Sequence, residues 1–296
     1  MVIVKPNAFI VGVPKSGKVS LRYWLSQHPD MFVCMFDTDF FSVDVEGRQD
    51  RVDSMEKYLA YFKDTGDKKV VLDQISRSAV SKVAHKLIKK FSPNAKIIIN
   101  LRNPAEQMFS WHKTLRRIGF ETEPNFYKAI KMEEERKRRS KSKLIKNYYY
   151  REIADYYPQV KRYIDTFGKK NVRVVLLDEL RNKPEETYYS LLKFLGVRKF
   201  KPDFSVQNET KREPRSQFYV KVMNFFLNLP RPIRLLIKRI IPPMAVGKFR
   251  KATWKTFDVK EKIDPKVRYE INNSFKPNLK KLEKLINKDL SMWYNP

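Results

Sequence analysis

The chain has 296 residues, 42% of them hydrophobic, and a formal net charge of +29 at pH 7. This length and composition are those of a globular protein with a substantial core. The single cysteine, Cys34, excludes an intramolecular disulfide and a thiolate metal cluster, and the three histidines are not paired at ligand spacing. The charge favours anionic partners, although a lysine-rich surface that only maintains solubility explains most of it equally well.

The sequence carries no recognisable membrane or export signal. Apolar runs fall short of the roughly 20 residues that span a bilayer. The first residues lack the charged region and the small-residue cleavage site of a signal peptide. We therefore expect a cytoplasmic protein, with membrane contact at most peripheral.

Short apolar runs alternate with helical patterns along the chain. The predicted strands are Ala8–Gly12, Lys69–Leu72, Ala95–Leu101 and Val172–Leu177. The predicted helices are Ser20–Gln27, Val80–Phe91 and Pro184–Leu195, the last ended by Gly196. This order indicates a single α/β domain over residues 1–296, with a central, mostly parallel sheet flanked by helices in a P-loop-like, three-layer fold.

Two segments have unusual charge. Lys131–Lys146 is a charge run, typical of a solvated helix or a mobile loop. Pro214–Phe257 contains no acidic residue but ten basic ones, and we expect it to form a lid. Within it, Pro232–Ile241 has the pattern of an amphipathic helix, which packs on the core or contacts an anionic membrane surface.

The segment between the first strand and the first helix, Gly12–Lys18, predicts a phosphate-binding turn. Backbone N–H groups at a helix N-terminus bind anions, Gly17 allows close approach and Lys15 adds a positive charge. The pattern G-x-x-x-x-G-K-[ST] of nucleotide triphosphatases fits as far as Lys18. It then fails, because Val19 stands where a hydroxyl should hold magnesium.

The same residues resemble another phosphate loop. Pro14-Lys-Ser-Gly-Lys-Val-Ser-Leu21 is similar to the P-K-S-G-T-T-x-L segment of sulfotransferases that use 3′-phosphoadenosine 5′-phosphosulfate (PAPS). By this resemblance the residues at the 5′-phosphosulfate are Pro14, Lys15, Ser16, Gly17, Lys18, Val19 and Ser20. Lys18 and Val19 replace two threonines of the family. A catalytically impaired, sulfotransferase-like binding protein is therefore an alternative, and a P-loop nucleotide kinase is a weaker one.

A second segment, Lys96–Pro104 followed by Ser110, resembles the 3′-phosphate segment of the same family. The resemblance assigns Arg102 and Ser110 to the 3′-phosphate. Arg102 leaves the carboxyl end of a predicted buried strand, where α/β sheets bind ligands. Ser110 falls about two turns into a helix that Pro104 can begin. Late in the chain, Arg250 and Lys251 fall where the family closes a basic loop over the nucleotide.

The resemblance implies metal-independent transfer of a sulfuryl group from PAPS to a hydroxyl or amine, with carbohydrate the best-fitting acceptor. Lys15 is then the group that stabilises the leaving oxygen, and a base must take the acceptor's proton. The residues resembling the family's K-E-x-x-F-F stretch are Phe36–Phe41.

Within that stretch Asp37 matches the glutamate, and Asp39 falls on the same side of the chain if it is extended. Phe36 replaces the family's lysine, and Asp73 and Ser76 match a further acidic-x-x-serine pattern. His112 is a third candidate base, although a structural role suits it better. The sequence shows no nucleic-acid-binding motif, and we expect no specific nucleic-acid partner.

Overall fold

The centre of the fold is a parallel sheet, seen in a computed structural model that describes residues 4–46, 52–63, 65–205 and 262–295. The short strands 212–214 and 254–256 and a few single positions between 222 and 237 are also described. The strands of this sheet are β1 (Ala8–Ile10), β2 (Met31–Asp37), β3 (Val70–Gln74), β4 (Lys96–Leu101) and β5 (Val172–Leu176). Their spatial order is β2-β3-β1-β4-β5, with every neighbouring pair parallel.

The helices before β5 are α1 (Lys18–Ser26), α2 (Met55–Ala60), α3 (Ala84–Phe91), α4 (Pro104–Arg117), α5 (Phe126–Lys131), α6 (Glu133–Arg139), α7 (Tyr150–Ala154) and α8 (Tyr156–Phe167). Those after it are α9 (Leu177–Asn182), α10 (Pro184–Leu195), α11 (Pro265–Ile286) and α12 (Ser291–Tyr294). Two further strands, β6 (Arg212–Pro214) and β7 (Trp254–Thr256), pair antiparallel away from the main sheet. Among the described residues, no helix combines the length and the hydropathy needed to cross a membrane.

Both faces of the sheet are buried. Ile97 and Ile99 of β4 pack into the core beneath α4, α8 and α11, whereas Ile98 packs into the core beneath α1 and α10. Burial on two faces explains why β4 carries three consecutive isoleucines, Ile97 to Ile99, rather than an alternating pattern. The predicted α/β architecture with a parallel sheet flanked by helices is confirmed.

The order of the strands determines where a ligand can bind. From β1 the chain passes outward to β2, returns to β3 beside β1, and then crosses to β4 on the other side. The carboxyl end of β1 is therefore the point at which the winding direction changes. In open α/β sheets this point leaves a crevice between the loops, and ligands bind there.

Several predicted boundaries were wrong. β1 ends at Ile10 rather than Gly12, β3 ends at Gln74 rather than Leu72, and α1 begins at Lys18 rather than Ser20. The helix predicted from Val80 begins only at Ala84, because the Ser81 hydroxyl accepts the N–H groups of Val83 (3.2 Å) and Ala84 (2.9 Å) and caps it. The strand predicted to reach Leu177 ends at Leu176, where Glu179 accepts the backbone N–H and starts α9. β2 was not predicted.

The charge run Lys131–Lys146 is partly a helix, α6, and it is attached to the core. Glu121 accepts two hydrogen bonds from Arg136 (2.6 and 2.8 Å) and one from the hydroxyl of Tyr150 (2.7 Å). Burial acts to raise the pKa of Glu121, but these bonds outweigh it and lower the pKa below its ordinary value. The predicted lid helix Pro232–Ile241 lies largely outside the described residues.

We predict that Glu121→Gln lowers the free energy of unfolding by about 3 kcal/mol at pH 7, because Arg136 loses its buried counter-charge. Since the pKa of Glu121 is lowered by folding, its stabilising effect is present above the unfolded pKa and disappears as the pH falls through the folded value. Thermal and urea melts at pH 7 and pH 4 measure both effects. The matched control is Glu134→Gln, because Glu134 pairs with Lys137 on the surface and its loss should cost less than about 0.5 kcal/mol. If Glu121→Gln and Glu134→Gln had equal free energies of unfolding, the attachment of α6 to the core through Glu121 and Arg136 would be contradicted.

Candidate functional site

The predicted phosphate turn lies against the carboxyl end of β4. Beyond β1, the N–H of Val13 donates to the carbonyl of Asn100 (2.8 Å), and the N–H of Ala79 donates to the carbonyl of Val11 (2.6 Å). The packing is so close that a Cβ at Gly12 would lie 2.4 Å from the Cβ of Ala79. The turn is thus confined on two sides at the point where the winding direction changes.

The turn itself depends on left-handed backbone. Lys15 has φ 67° and Gly17 has φ 81°. A side chain at Gly17 would also meet Leu177 of α9, since an added Cβ would lie 2.6 Å from its Cδ1. The Ser16 hydroxyl donates to the carbonyl of Val13 (2.7 Å) and closes the turn. α1 begins at Lys18, so its positive N-terminal end faces the turn, with Val19 and Ser20 half-buried in its first helical turn.

Several positively charged side chains lie on the side of the turn that faces β4. Arg102, just after β4, donates from Nη1 to the carbonyl of Lys15 (3.3 Å). Burial lowers the pKa of Lys15 to about 8, and repulsion from Arg117, Arg102 and Lys113 adds to the shift. Glu106 pairs with Arg102 at 3.2 Å. Like charges held together in this way are stabilised by a bound anion that carries several negative charges.

Some of these cations were not predicted from the sequence. Ser110 lies half-buried on α4, and Lys113 and Arg117 follow it by three and seven residues. This spacing places all three on one face of the helix, and it is a signal by which the two cations could have been found. Arg181 of α9 acts electrostatically on Arg102. No sequence pattern links Arg181 to Arg102, because only the tertiary fold brings β4 and α9 together.

Across the turn, Asp37 ends β2 and is half-buried. It accepts the backbone N–H of Ser76 (3.1 Å) and also the Ser76 hydroxyl. Burial raises the pKa of Asp37, and the negative charge of Asp39 raises it further. A carboxylate with a raised pKa is a better proton acceptor than an ordinary aspartate.

Asp39 is in a different environment. The chain after β2 is not extended as expected, because Asp39 has φ 45° and lies in a turn. It accepts Nε (2.8 Å), Nη2 and the backbone N–H (3.3 Å) of Arg77. The bidentate pair with Arg77 holds the residue in this conformation, so the extended chain that would place Asp37 and Asp39 on one side is not present.

The remaining candidates are distributed as follows. Asp73 is fully buried and accepts hydrogen bonds from Thr38 (3.0 Å) and Tyr58 (2.9 Å). His112 is buried, with Nε2 2.9 Å from the carbonyl of Glu123, and burial lowers its pKa. This contact fits the structural role considered for His112.

Arg250 and Lys251, the predicted basic loop, lie outside the described residues.

A phosphate turn at the switch point of a parallel sheet, flanked by half-buried cations, defines a class of α/β proteins that bind phosphorylated ligands. The chain belongs to the sulfotransferase domain family, which it matches over residues 5–283. Its fold is similar to that of a sulfotransferase from Alicyclobacillus acidocaldarius, with a TM-score of 0.74 and 27% identity over 98% of this chain and 99% of the other.

Two curated relatives are larger proteins. The bifunctional heparan sulfate N-deacetylase/N-sulfotransferase 1 of Caenorhabditis briggsae is 21% identical over 229 residues, which are 74% of this chain. The protein of the same name from Caenorhabditis elegans is 25% identical over 222 residues, again 74% of this chain. The matched region spans 25% of each relative's length.

The two carboxylates should respond differently to substitution. Asp39→Asn should lower the free energy of unfolding by about 2–3 kcal/mol, because Arg77 is left buried without its counter-charge. Asp37→Asn should be at least as stable as the native protein at pH 7. Since folding raises the pKa of Asp37, its ionisation destabilises the folded state progressively as the pH rises through the folded pKa. Urea denaturation of both variants from pH 5 to pH 8 tests this. A larger loss of unfolding free energy in Asp37→Asn than in Asp39→Asn would contradict the different environments assigned to the two carboxylates.

Proposed function

We propose that the protein transfers a sulfuryl group from PAPS to a hydroxyl or amine of a carbohydrate. The observation that carries this proposal is the position of Lys15. It lies in a left-handed turn at the start of α1. Burial is the main cause of its lowered pKa, and the nearby charges of Arg117, Arg102 and Lys113 contribute to the same shift. Membership of the sulfotransferase domain family supports the same activity.

The residues present fit such a donor. The half-buried Lys15 and the backbone N–H groups that begin α1 suit the 5′-phosphosulfate, and Arg102 with Ser110 suits the 3′-phosphate. When bound, the donor supplies an activated sulfuryl group. Lys15 stabilises the negative charge that develops on the departing phosphate oxygen.

Asp37 completes the proposed site as the base. It accepts the proton that the acceptor hydroxyl or amine loses as its new bond to sulfur forms, while the bond between sulfur and the phosphate oxygen breaks. The backbone N–H of Ser76 donates to Oδ1 of Asp37 and the Ser76 hydroxyl donates to Oδ2, so the orientation of the carboxylate is fixed. Asp39 contributes indirectly in this proposal, because its pair with Arg77 sets the turn that follows Asp37.

A basic strip, residues 141–147, supports an acidic carbohydrate acceptor. Ile145 bridges to Val45, and Lys146 pairs with Glu46 at 3.0 Å, so residues 141–147 are fastened to the segment that follows the proposed base. The side chains of Lys141 and Lys143 in this strip are exposed. Exposed lysines attract an anionic chain without needing a defined geometry.

The donor site is tested by calorimetric titration with adenosine 3′,5′-bisphosphate, with and without magnesium. We expect binding that does not depend on magnesium, weakened about 10- to 100-fold in Arg102→Ala by loss of charge-assisted hydrogen bonds. The control is Arg198→Ala. Arg198 pairs with Asp30 just before β2, at the opposite edge of the sheet. No binding by the native protein would refute the proposal and leave the fold as a binding scaffold. Strictly magnesium-dependent binding of ATP instead would favour a nucleotide kinase.

The acceptor is tested with radiolabelled PAPS and two forms of one polysaccharide. These are heparan sulfate stripped of its N-sulfates, which exposes free amines, and the same material after N-acetylation. Label on the first alone identifies an amine acceptor, and label on both identifies a hydroxyl. Asp37→Asn should reduce transfer by about 100-fold or more, the usual contribution of a general base, while it still binds the bisphosphate. Transfer that survives in Asp37→Asn would exclude Asp37 as the base.

A further inference from the structure

Helix α4 is hydrogen-bonded to both the donor side and the acceptor side of the proposed site. Gln107 donates from Nε2 to the carbonyl of Pro14 in the phosphate turn (3.1 Å). One helical turn further on, Trp111 donates from Nε1 to the carbonyl of Asn147 (2.7 Å). Residues four apart lie on the same face of a helix. One face of α4 is therefore bonded both to the phosphate turn and to the end of the basic strip.

Asn147 is buried, and each of its polar groups has a partner in another segment. Its carbonyl accepts the bond from Trp111. Its backbone N–H and its Nδ2 both donate to Oε2 of Glu46, at 3.2 Å each. Its Oδ1 accepts Nη1 of Arg77 (3.3 Å). A single asparagine thus joins α4, the segment that follows β2 and the segment that follows β3.

Arg77 extends these contacts to the proposed base. Its Nε donates to Oδ2 of Asp39 (2.8 Å), in the turn that follows Asp37. The preceding residue, Ser76, holds Asp37 itself through its backbone N–H (3.1 Å) and its hydroxyl. An unbroken series of hydrogen bonds therefore leads from α4, through Asn147 and the guanidinium group, to the turn beside the base.

The basic strip is held in place without the side chain of Asn147. The N–H of Ile145 donates to the carbonyl of Asp44 (2.8 Å), and the N–H of Glu46 donates to the carbonyl of Ile145 (2.8 Å). Lys146 adds its ion pair with Glu46. The side-chain oxygen of Asn147 is not needed for this attachment, and its hydrogen bond serves the guanidinium group instead.

We propose that Asn147 is a positioning residue for the transfer reaction: it fixes the guanidinium group of Arg77 and thereby holds the turn beside Asp37 at a set distance from α4. This inference rests on the proposed function. A base must lie within hydrogen-bond reach of the proton it accepts, and transfer tolerates little misplacement of the reacting groups. Because α4 is also bonded to the phosphate turn, one helix sets the positions of both the donor and the base.

The experiment compares the native protein with Asn147→Ala, Arg77→Lys and the double variant. Alanine removes the two side-chain hydrogen bonds of Asn147 and keeps those of its backbone. Lysine keeps a positive charge beside Asp39 but lacks the guanidinium fork that also reaches Asn147. The measurements are the affinity for adenosine 3′,5′-bisphosphate and the kcat and KM of transfer to heparan sulfate stripped of its N-sulfates. Hydrogen exchange of the Arg77 backbone N–H, which donates to Asp39 (3.3 Å), is measured relative to the amides of β4.

The matched control is Asn171→Ala. Asn171 also accepts a hydrogen bond from a cation, Nζ of Lys96 (3.0 Å), and also donates to a carbonyl, that of Phe167 (3.0 Å). It lies at the amino ends of β4 and β5, whereas the site lies at the carboxyl ends. Its loss should lower the melting temperature to a similar extent as Asn147→Ala and leave bisphosphate affinity, transfer and the relative exchange of the Arg77 N–H unchanged.

In Asn147→Ala we expect kcat to fall at least about 10-fold, while KM and the affinity for the bisphosphate stay within about 3-fold. The Arg77 N–H should exchange at least about 10-fold faster relative to β4, because the turn opens locally once the guanidinium group is less firmly held. Since Asn147 acts through Arg77, the double variant should be no more impaired than Arg77→Lys alone.

Three results would overturn the inference. A loss of bisphosphate affinity of about 10-fold or more in Asn147→Ala would place the effect of the residue at the donor. Additive losses of kcat in the double variant would show that Asn147 does not act through Arg77. Unchanged exchange of the Arg77 N–H would show that Asn147 does not hold the turn. Exchange needs neither donor nor acceptor, so it decides this point even if the native protein binds no bisphosphate, a result that would refute only the proposed function.

Discussion

The structure depends on holding like charges together at the carboxyl end of β1. Lys15 is half-buried beside Arg102, and both repel each other at the edge of a sheet whose two faces exclude water. Three features offset this repulsion. Glu106 pairs with Arg102 and also with Arg268 of α11, at 3.4 Å. The carbonyl of Lys15 accepts a hydrogen bond from Arg102, which ties the two cationic segments together. The backbone conformation of the turn is fixed by its packing against neighbouring segments, so the charges cannot move apart by simple relaxation.

The acidic side of the site is held with comparable rigidity by the chain that follows β3. Ser76, Asp73 and Arg77 bind three consecutive residues of the opposite segment, Asp37 to Asp39. The Ser42 and Ser78 hydroxyls then hydrogen-bond to each other at 2.7 Å. These contacts join two segments 35 to 39 residues apart in sequence, and they explain why a short polar stretch after an edge strand keeps one conformation. Asp73 is the least exposed of these groups, and burial raises its pKa to about 7. Its hydrogen bonds to Thr38 and Tyr58 therefore serve the folded structure rather than the acceptor.

The sequence was sufficient for the features that depend on local pattern. The three consecutive isoleucines of β4 predicted a buried strand, and the strand is present. The glycines between β1 and α1 predicted a tight turn, which the structure also contains, whereas anion binding by that turn stays a prediction. Local pattern could not reveal β2, because its burial depends on pairing with β3 at the edge of the sheet. It also could not show that the chain turns at Asp39, because that turn is set by Arg77, 38 residues away. Arg181 was missed for the same reason. Its relation to Arg102 exists only once the sheet has formed.

The net charge of +29 and the charges of the site act over different ranges. Exposed lysines are screened within about 8 Å at physiological ionic strength, so their effect is to attract anions in general. Lys15 and Lys18 are held back from solvent, and fields between buried groups are screened far less. In the proposed function, discrimination between ligands is assigned to these two residues and their neighbours, whereas the surface excess governs how fast an anion arrives. An increase in salt should therefore slow the encounter with an anion and leave the interactions among the buried charges of the turn largely unchanged.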